Sequence, residues 1–97
     1  MNKKDMLKEA ICESGLYSNN QCKIISVLLD IATDNIAQAN VKFLVEKSGV
    51  KSPTVYFALK MFQKDGLIIK NQQLGGFEFQ QSKIDSLLKS YEKKKGI

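Results

Sequence analysis

Ninety-seven residues, 43% of them apolar and 26% charged, suit one soluble globular domain and leave no room for a second independent core. The formal charge is +5, carried by fifteen lysines with no arginine, and histidine is absent. Histidine-based triads and histidine metal ligands are therefore excluded, no apolar run approaches the roughly 18 residues of a membrane span, and the charge balance suits a polyanionic partner.

The opening stretch, MNKKDMLKEAICESG, is amphipathic and carries acids. It lacks the continuous apolar core of a secretory signal, so a cytoplasmic protein is expected. Asn2 can cap a first helix over residues 3–13, with Met6, Leu7, Ala10 and Ile11 on one stripe and Gly15 as its stop. Asn19 or Asn20 then caps a second helix running to about Asp34. Its polar residues Lys23, Ser26, Asp30, Thr33 and Asp34 share about a third of the helical wheel. Ile24, Ile25, Val27, Leu28, Leu29, Ile31 and Ala32 cover most of the rest, so this helix must be sandwiched in the core. Cys12 and Cys22 fall on these two helices. Two thiols alone cannot build a four-ligand zinc site, and their spacing matches no redox or zinc motif. Half-buried thiols are the first expectation, a disulfide or redox switch the second.

Residues 35–40 (NIAQAN) are too short for a helix and can add one small strand at a sheet edge. Asn40 can cap a third helix, residues 41–48, with Val41, Leu44 and Val45 facing inward. Gly49 supplies the positive φ of a tight helix-to-helix turn, and Val50 plugs that turn into the core. Ser52-Pro53 opens a fourth helix, the serine as N-cap and the proline at the first helical position. Val55, Ala58, Leu59 and Phe62 follow as a buried stripe, and Asp65-Gly66 ends the helix. Leu67-Ile68-Ile69-Lys70 and Phe77-Glu78-Phe79-Gln80 read as two strands joined through Asn71 to Gly76. Leu67, Ile69, Phe77 and Phe79 are expected on their inner face. Ser82, with Asp85 three residues on, caps a last helix over residues 82–95 whose Ile84, Leu87, Leu88 and Tyr91 keep helical spacing. Lys93-Lys94-Lys95 is expected to be a frayed basic tail.

The order helix, helix, turn, helix, hairpin resembles the winged helix-turn-helix domain of small bacterial transcriptional regulators. Leu44, Gly49-Val50, Ser52-Pro53-Thr54-Val55, Ala58-Leu59 and the exit Asp65-Gly66-Leu67-Ile68 carry the resemblance, which covers about residues 20–80. The fold it implies is mainly α with a small β-hairpin wing, a single domain over residues 1–97 whose core is flanked by helices 3–13 and 82–95. It further implies that helix 52–65 lies in the major groove of double-stranded DNA. The groove-facing set is then Lys51, Ser52, Thr54, Tyr56, Phe57 and Lys60. Ser52 and Thr54 would hold phosphates near the helix N-terminus, while Lys51, Lys60 and Lys64 supply charge. Tyr56 would donate a hydrogen bond and Phe57 pack on a thymine methyl. At the wing tip, Lys70-Asn71-Gln72-Gln73 would reach the neighbouring minor groove or its phosphates, Lys70, Gln72 and Gln73 being the contacting residues, with Glu78 turned away from DNA. Terminal helices form the two-fold interface in related regulators, so a homodimer is expected.

The chain departs from this family at positions 56 and 57, which are usually small, polar or basic. Tyr56 and Phe57 can pack against the C-terminal helix or a partner subunit, contact bases, or form a protein-binding patch. The functions in play are sequence-specific DNA binding by a homodimeric transcriptional regulator, DNA binding in replication or plasmid maintenance, and protein binding through Tyr56, Phe57 and Met61. An enzyme is not expected, because no nucleophile–base pair, phosphate-cradling loop or metal cluster is visible; no cofactor or metal is implied.

Overall fold

Ser18 begins the helix around which the rest is arranged. Its hydroxyl accepts a hydrogen bond from the Gln21 backbone N–H (3.2 Å), and the Gln21 side chain accepts one from the Ser18 N–H (2.9 Å). This reciprocal pair needs serine at the cap and glutamine three residues on, so Ser18, not Asn19 or Asn20, caps the helix. The structure is a computed structural model that describes residues 3–96. Its elements are α1 (Lys3–Glu13), α2 (Asn19–Ile31), β1 (Ile36–Ala37), α3 (Val41–Ser48), α4 (Ser52–Lys64), β2 (Ile68–Asn71), β3 (Gly76–Phe79) and α5 (Gln81–Lys95). The expected cap at Asn2 lies outside the described residues.

α2 stops at Ile31, short of the expected Asp34. Ala32 is already extended (ψ 133°), and Asp34 and Asn35 take left-handed φ of 53° and 69°. Lys4 on α1 donates to the carbonyls of Asp30 (3.3 Å) and Ala32 (3.1 Å), placing a cation at the negative end of the helix dipole. Lys8 forms a salt bridge with Asp30 beside it. Ile24, Ile25, Leu28 and Leu29 are buried, and α2 touches α1, α3, α4 and β1, as a sandwiched helix must.

The helix pair α3–α4 follows its local signals closely. Asn40 accepts from the Phe43 N–H (2.8 Å), and Gly49 closes α3 at φ 73°, a left-handed conformation that disfavours any side chain with a Cβ. The Ser48 hydroxyl accepts from the Val50 N–H (3.1 Å), tucking Val50 into the core. Leu44 is fully buried, whereas Val41 and Val45 are half-buried. α4 starts one residue earlier than expected. Lys51 is the extended cap residue, with no side-chain cap bond, and its carbonyl accepts from the Val55 N–H (3.0 Å). Ser52 and Pro53 are thus both in the first turn, and Ser52 is not the N-cap. Val55, Ala58, Leu59 and Phe62 are all buried.

The three strands form an antiparallel sheet in the order β1-β3-β2. β1 is the short edge strand expected within 35–40. Ile68 pairs with Phe79, Ile69 with Glu78 and Lys70 with Phe77, while Ala37 pairs with Phe77 and Ile36 with Glu78. The expected inner face is therefore wrong at one position: Ile69 is 48% exposed, and Ile68 faces the core. Leu67 is seated before the strand starts, by bonds from its N–H to the Phe62 carbonyl and from the Gln80 N–H to its own carbonyl (both 2.9 Å). Alternation then begins one residue late, which exchanges the faces. Gly76 allows β1 to approach, since a Cβ there would stand 2.2 Å from the Ala37 carbonyl oxygen.

α5 is capped by Gln80 without a side-chain bond, so the expected Ser82 cap is not formed. Instead Gln81 bridges, accepting from Asn35 (2.9 Å) and donating to Asp85 (2.8 Å). α5 lies along α1, where the Tyr91 hydroxyl donates to Glu9 and Lys94 reaches the Glu13 carbonyl (3.3 Å). The helix consequently runs through Lys95, and the expected frayed tail at 93–95 is helical. Leu7, Ala10, Ile11, Ile84, Leu87 and Tyr91 are buried between these helices and the core. Cys12 and Cys22 are half-buried free thiols, and burial followed by the adjoining Cys12 thiol pushes Cys22 up to about 12.

Candidate nucleic-acid interface

The buried stripe of α4 fixes which side of that helix is left over. At 100° per residue, Pro53, Phe57, Lys60 and Lys64 lie opposite Val55, Ala58, Leu59 and Phe62, with Tyr56 on the flank. Among the described residues, no other element covers that side. Tyr56 is 61% exposed and Phe57 59%, and Lys51, Ser52, Pro53, Lys60 and Lys64 are exposed as well. Thr54 alone of the expected set on this helix is half-buried. The option that the aromatic pair packs on the C-terminal helix is overturned, because α5 lies against α1.

The hairpin stands beside this face. Gln72 and Gln73 sit exposed in the turn after β2, whereas Lys70 belongs to the strand and not to the tip. Pairing with Phe77 puts Lys70 on the sheet face opposite Glu78, which is half-buried and accepts from Asn71 (3.3 Å). Glu78 accordingly points to the other side of the sheet from Lys70.

Tyr56, Phe57, Lys60 and Lys70 meet along one groove of about 480 Å³ between α4 and the hairpin, completed by Val41, Leu59, Gln63 and Phe77. Lys51, Ser52, Thr54, Lys64, Gln72 and Gln73 do not line it. Val41, Leu59, Gln63 and Phe77 are the members that sequence reasoning missed, the first two having been expected only as core residues. The helical spacing of Gln63 from Tyr56 was a usable signal, but nothing local indicated that Phe77 would arrive opposite. A second, shallow concavity joins Lys23 and Lys47 with Asn19, Ser26 and Ser48, and neither lysine was expected at a site.

Charge is uneven along the chain. Residues 41–73 hold Lys42, Lys47, Lys51, Lys60, Lys64 and Lys70 against only Glu46 and Asp65, so most of the +5 lies on α3, α4 and β2. Among the described residues, Lys51, Lys60, Lys64 and Lys70 have no carboxylate partner. Asp65, at the far end of α4, faces the Tyr17 hydroxyl, and burial and then that carboxylate hold the phenol far above its ordinary pKa. The groove thus joins unpaired ammonium groups to exposed aromatic faces, with no acid on its walls.

The chain matches no protein-family model, no curated protein and no solved structure. What this face can do follows from its own chemistry. Unpaired lysines on one rigid helix attract phosphates, and exposed aromatic rings stack on or pack against flat apolar groups. No group of three or more potential metal ligands occurs among the described residues, and no described helix is long and apolar enough to cross a membrane.

Proposed function

We propose that the chain binds double-stranded DNA sequence-specifically, as a cytoplasmic transcriptional regulator of the winged helix-turn-helix type, with α4 in the major groove. One observation carries this reading: the lysine-bearing side of α4 stands uncovered while its opposite side is wholly buried. A helix anchored along one stripe and bare along the other is the element that such domains insert into DNA. In this arrangement Lys51, Lys60 and Lys64 meet phosphates, Ser52 and Thr54 approach the backbone near the helix start, and Tyr56 and Phe57 face base edges. Lys70, Gln72 and Gln73 lie beside the adjacent groove. The same contacts would serve a replication or plasmid-maintenance protein. No cofactor, metal or reacting group is needed.

A homodimer through the terminal helices belongs to this proposal. Their stripes are buried within the chain, so a two-fold partner would use Leu16, 58% exposed, and the concavity of about 270 Å³ beside it. Light scattering at micromolar concentration tests this; a 10.9 kDa species alone would end the dimer.

The exposed Tyr56 and Phe57 also favour a second reading, a protein-binding patch with Met61 at its edge. Duplex affinity measured against salt separates the two. About four to six phosphate contacts give a log–log slope of roughly −4 to −5, and duplex binding weaker than ~10⁻⁴ M at low salt rejects the DNA reading.

A further inference from the structure

We infer that the groove between α4 and the hairpin receives an unpaired base, so that the chain prefers DNA with a base out of the stack over fully paired duplex. This rests on the nucleic-acid reading above and names the form of DNA that the same face selects. Tyr56, Phe57 and Lys60 line the groove from α4, and Lys70 and the largely buried Phe77 line it from the hairpin. Paired duplex engages only part of such a wall. In the major groove the bases are stacked and present polar edges, and the thymine methyl is the one apolar group they offer. On paired duplex the phosphates satisfy the lysines, while the rings gain at most a thymine methyl or a base edge and leave their flat faces unused. An unstacked base has a flat π-face for the rings, and its flanking phosphates carry the charge that the lysines need. Two further groups can address the edge of that base. The Tyr56 hydroxyl has no partner among the described residues. Gln63 donates its Nε2 to the Leu59 carbonyl (3.2 Å), which leaves its Oε1 open to accept.

The absence of any carboxylate on the walls argues for a polyanion with exposed rings, and the neighbouring Lys51 and Lys64 extend the positive row along α4. Both aromatics are exposed, so truncating them leaves the core intact.

The test compares one duplex in three forms at fixed low salt, by fluorescence anisotropy of labelled DNA: fully paired, with a one-base bulge, and with the bulged base replaced by an abasic site. The expected result is binding of the bulged form roughly tenfold tighter than the paired form, with the abasic form losing that gain. Tyr56→Ala with Phe57→Ala should bring the bulged-to-paired ratio close to one, with helical circular dichroism unchanged. The chain has no tryptophan, and Tyr17 and Tyr91 are buried, so quenching of tyrosine emission on binding the bulge reports Tyr56 directly. Equal affinity for paired and bulged duplex would overturn the inference and leave the duplex reading standing. So would a gain that survives in the abasic form or in the double variant. Failure of all three DNAs to bind below ~10⁻⁴ M would remove both readings and leave the groove to an acidic peptide.

Discussion

The ring of Tyr17 meets the ring of Phe62 edge-on, with centroids 5.3 Å apart and planes at 87°. Phe62 is the last member of the buried stripe of α4, so the turn between α1 and α2 is clamped onto the base of that helix. The Tyr17 hydroxyl is buried yet makes no hydrogen bond of normal geometry among the described residues. Tyr17→Phe keeps the ring contact and removes a hydroxyl that faces Asp65 without a hydrogen bond of normal geometry. It should leave stability within about 0.5 kcal/mol of the parent or raise it. Tyr17→Ala, which empties the site, should cost about 3–5 kcal/mol. Urea unfolding of the two variants checks both; a large loss in Tyr17→Phe would mean that the hydroxyl has a strong partner.

Tyr91 and Cys22, together with Tyr17, whose phenol is held higher still, should make stability fall at alkaline pH. The hydrogen bond to Glu9 pushes Tyr91 up to about 12 from its ordinary 10, and burial pushes Cys22 up to about 12 from about 9. Both pKa values are raised by folding, so the neutral forms are favoured in the folded chain. Their contribution is complete below the unfolded values and is lost as pH rises through the folded ones. Stability should hold to about pH 9 and fall between there and pH 12. Tyr91→Phe, which cannot ionise, should make that fall shallower. Urea midpoints measured across this range decide the matter, and a rise with pH would contradict it.

Gly76→Ala should damage the sheet. The added Cβ would sit 2.2 Å from the Ala37 carbonyl oxygen and 2.8 Å from the Gln38 Cα, both backbone atoms that cannot swing aside. Moving β1 away breaks its pairing with β3 at a cost of about 1–3 kcal/mol. Thermal unfolding should show this loss, and an unchanged melting temperature would show that β1 is dispensable.

Two variants on the open side of α4 should differ in kind. Lys60→Ala should weaken binding to every DNA sequence and reduce the magnitude of the salt slope by about one per bound chain. Phe57→Ala should change sequence preference, with a loss of roughly fivefold or more at thymine-containing sites. Affinities for a panel of duplexes at several salt concentrations measure both. Uniform loss across the panel for Phe57→Ala would remove base contact from its role.

Some of this architecture was plain in local pattern. Val55, Ala58, Leu59 and Phe62 are buried as their spacing demands, because the helical period belongs to the backbone itself. Asn40 and Gly49 cap α3 for equally local reasons. The Ser18 cap was legible in its spacing to Gln21, but two adjacent asparagines offered competing caps. Ile69 was not legible. Strand alternation is strict, yet its starting point depends on how Leu67 is anchored to Phe62 and Gln80, and a shift of one residue reverses every face.

The amino-acid order alone thus determined where the helices lie, which side of α4 is apolar, and that lysines crowd the middle of the chain. Tertiary packing alone decided that no described element covers the other side of α4, that α1 and α5 bury their stripes within one chain, and that Lys70 and Phe77 come to stand across from Tyr56. The physical reason is range. Helical period and capping act over a few neighbouring residues, whereas exposure and the making of a groove depend on partners far away in sequence.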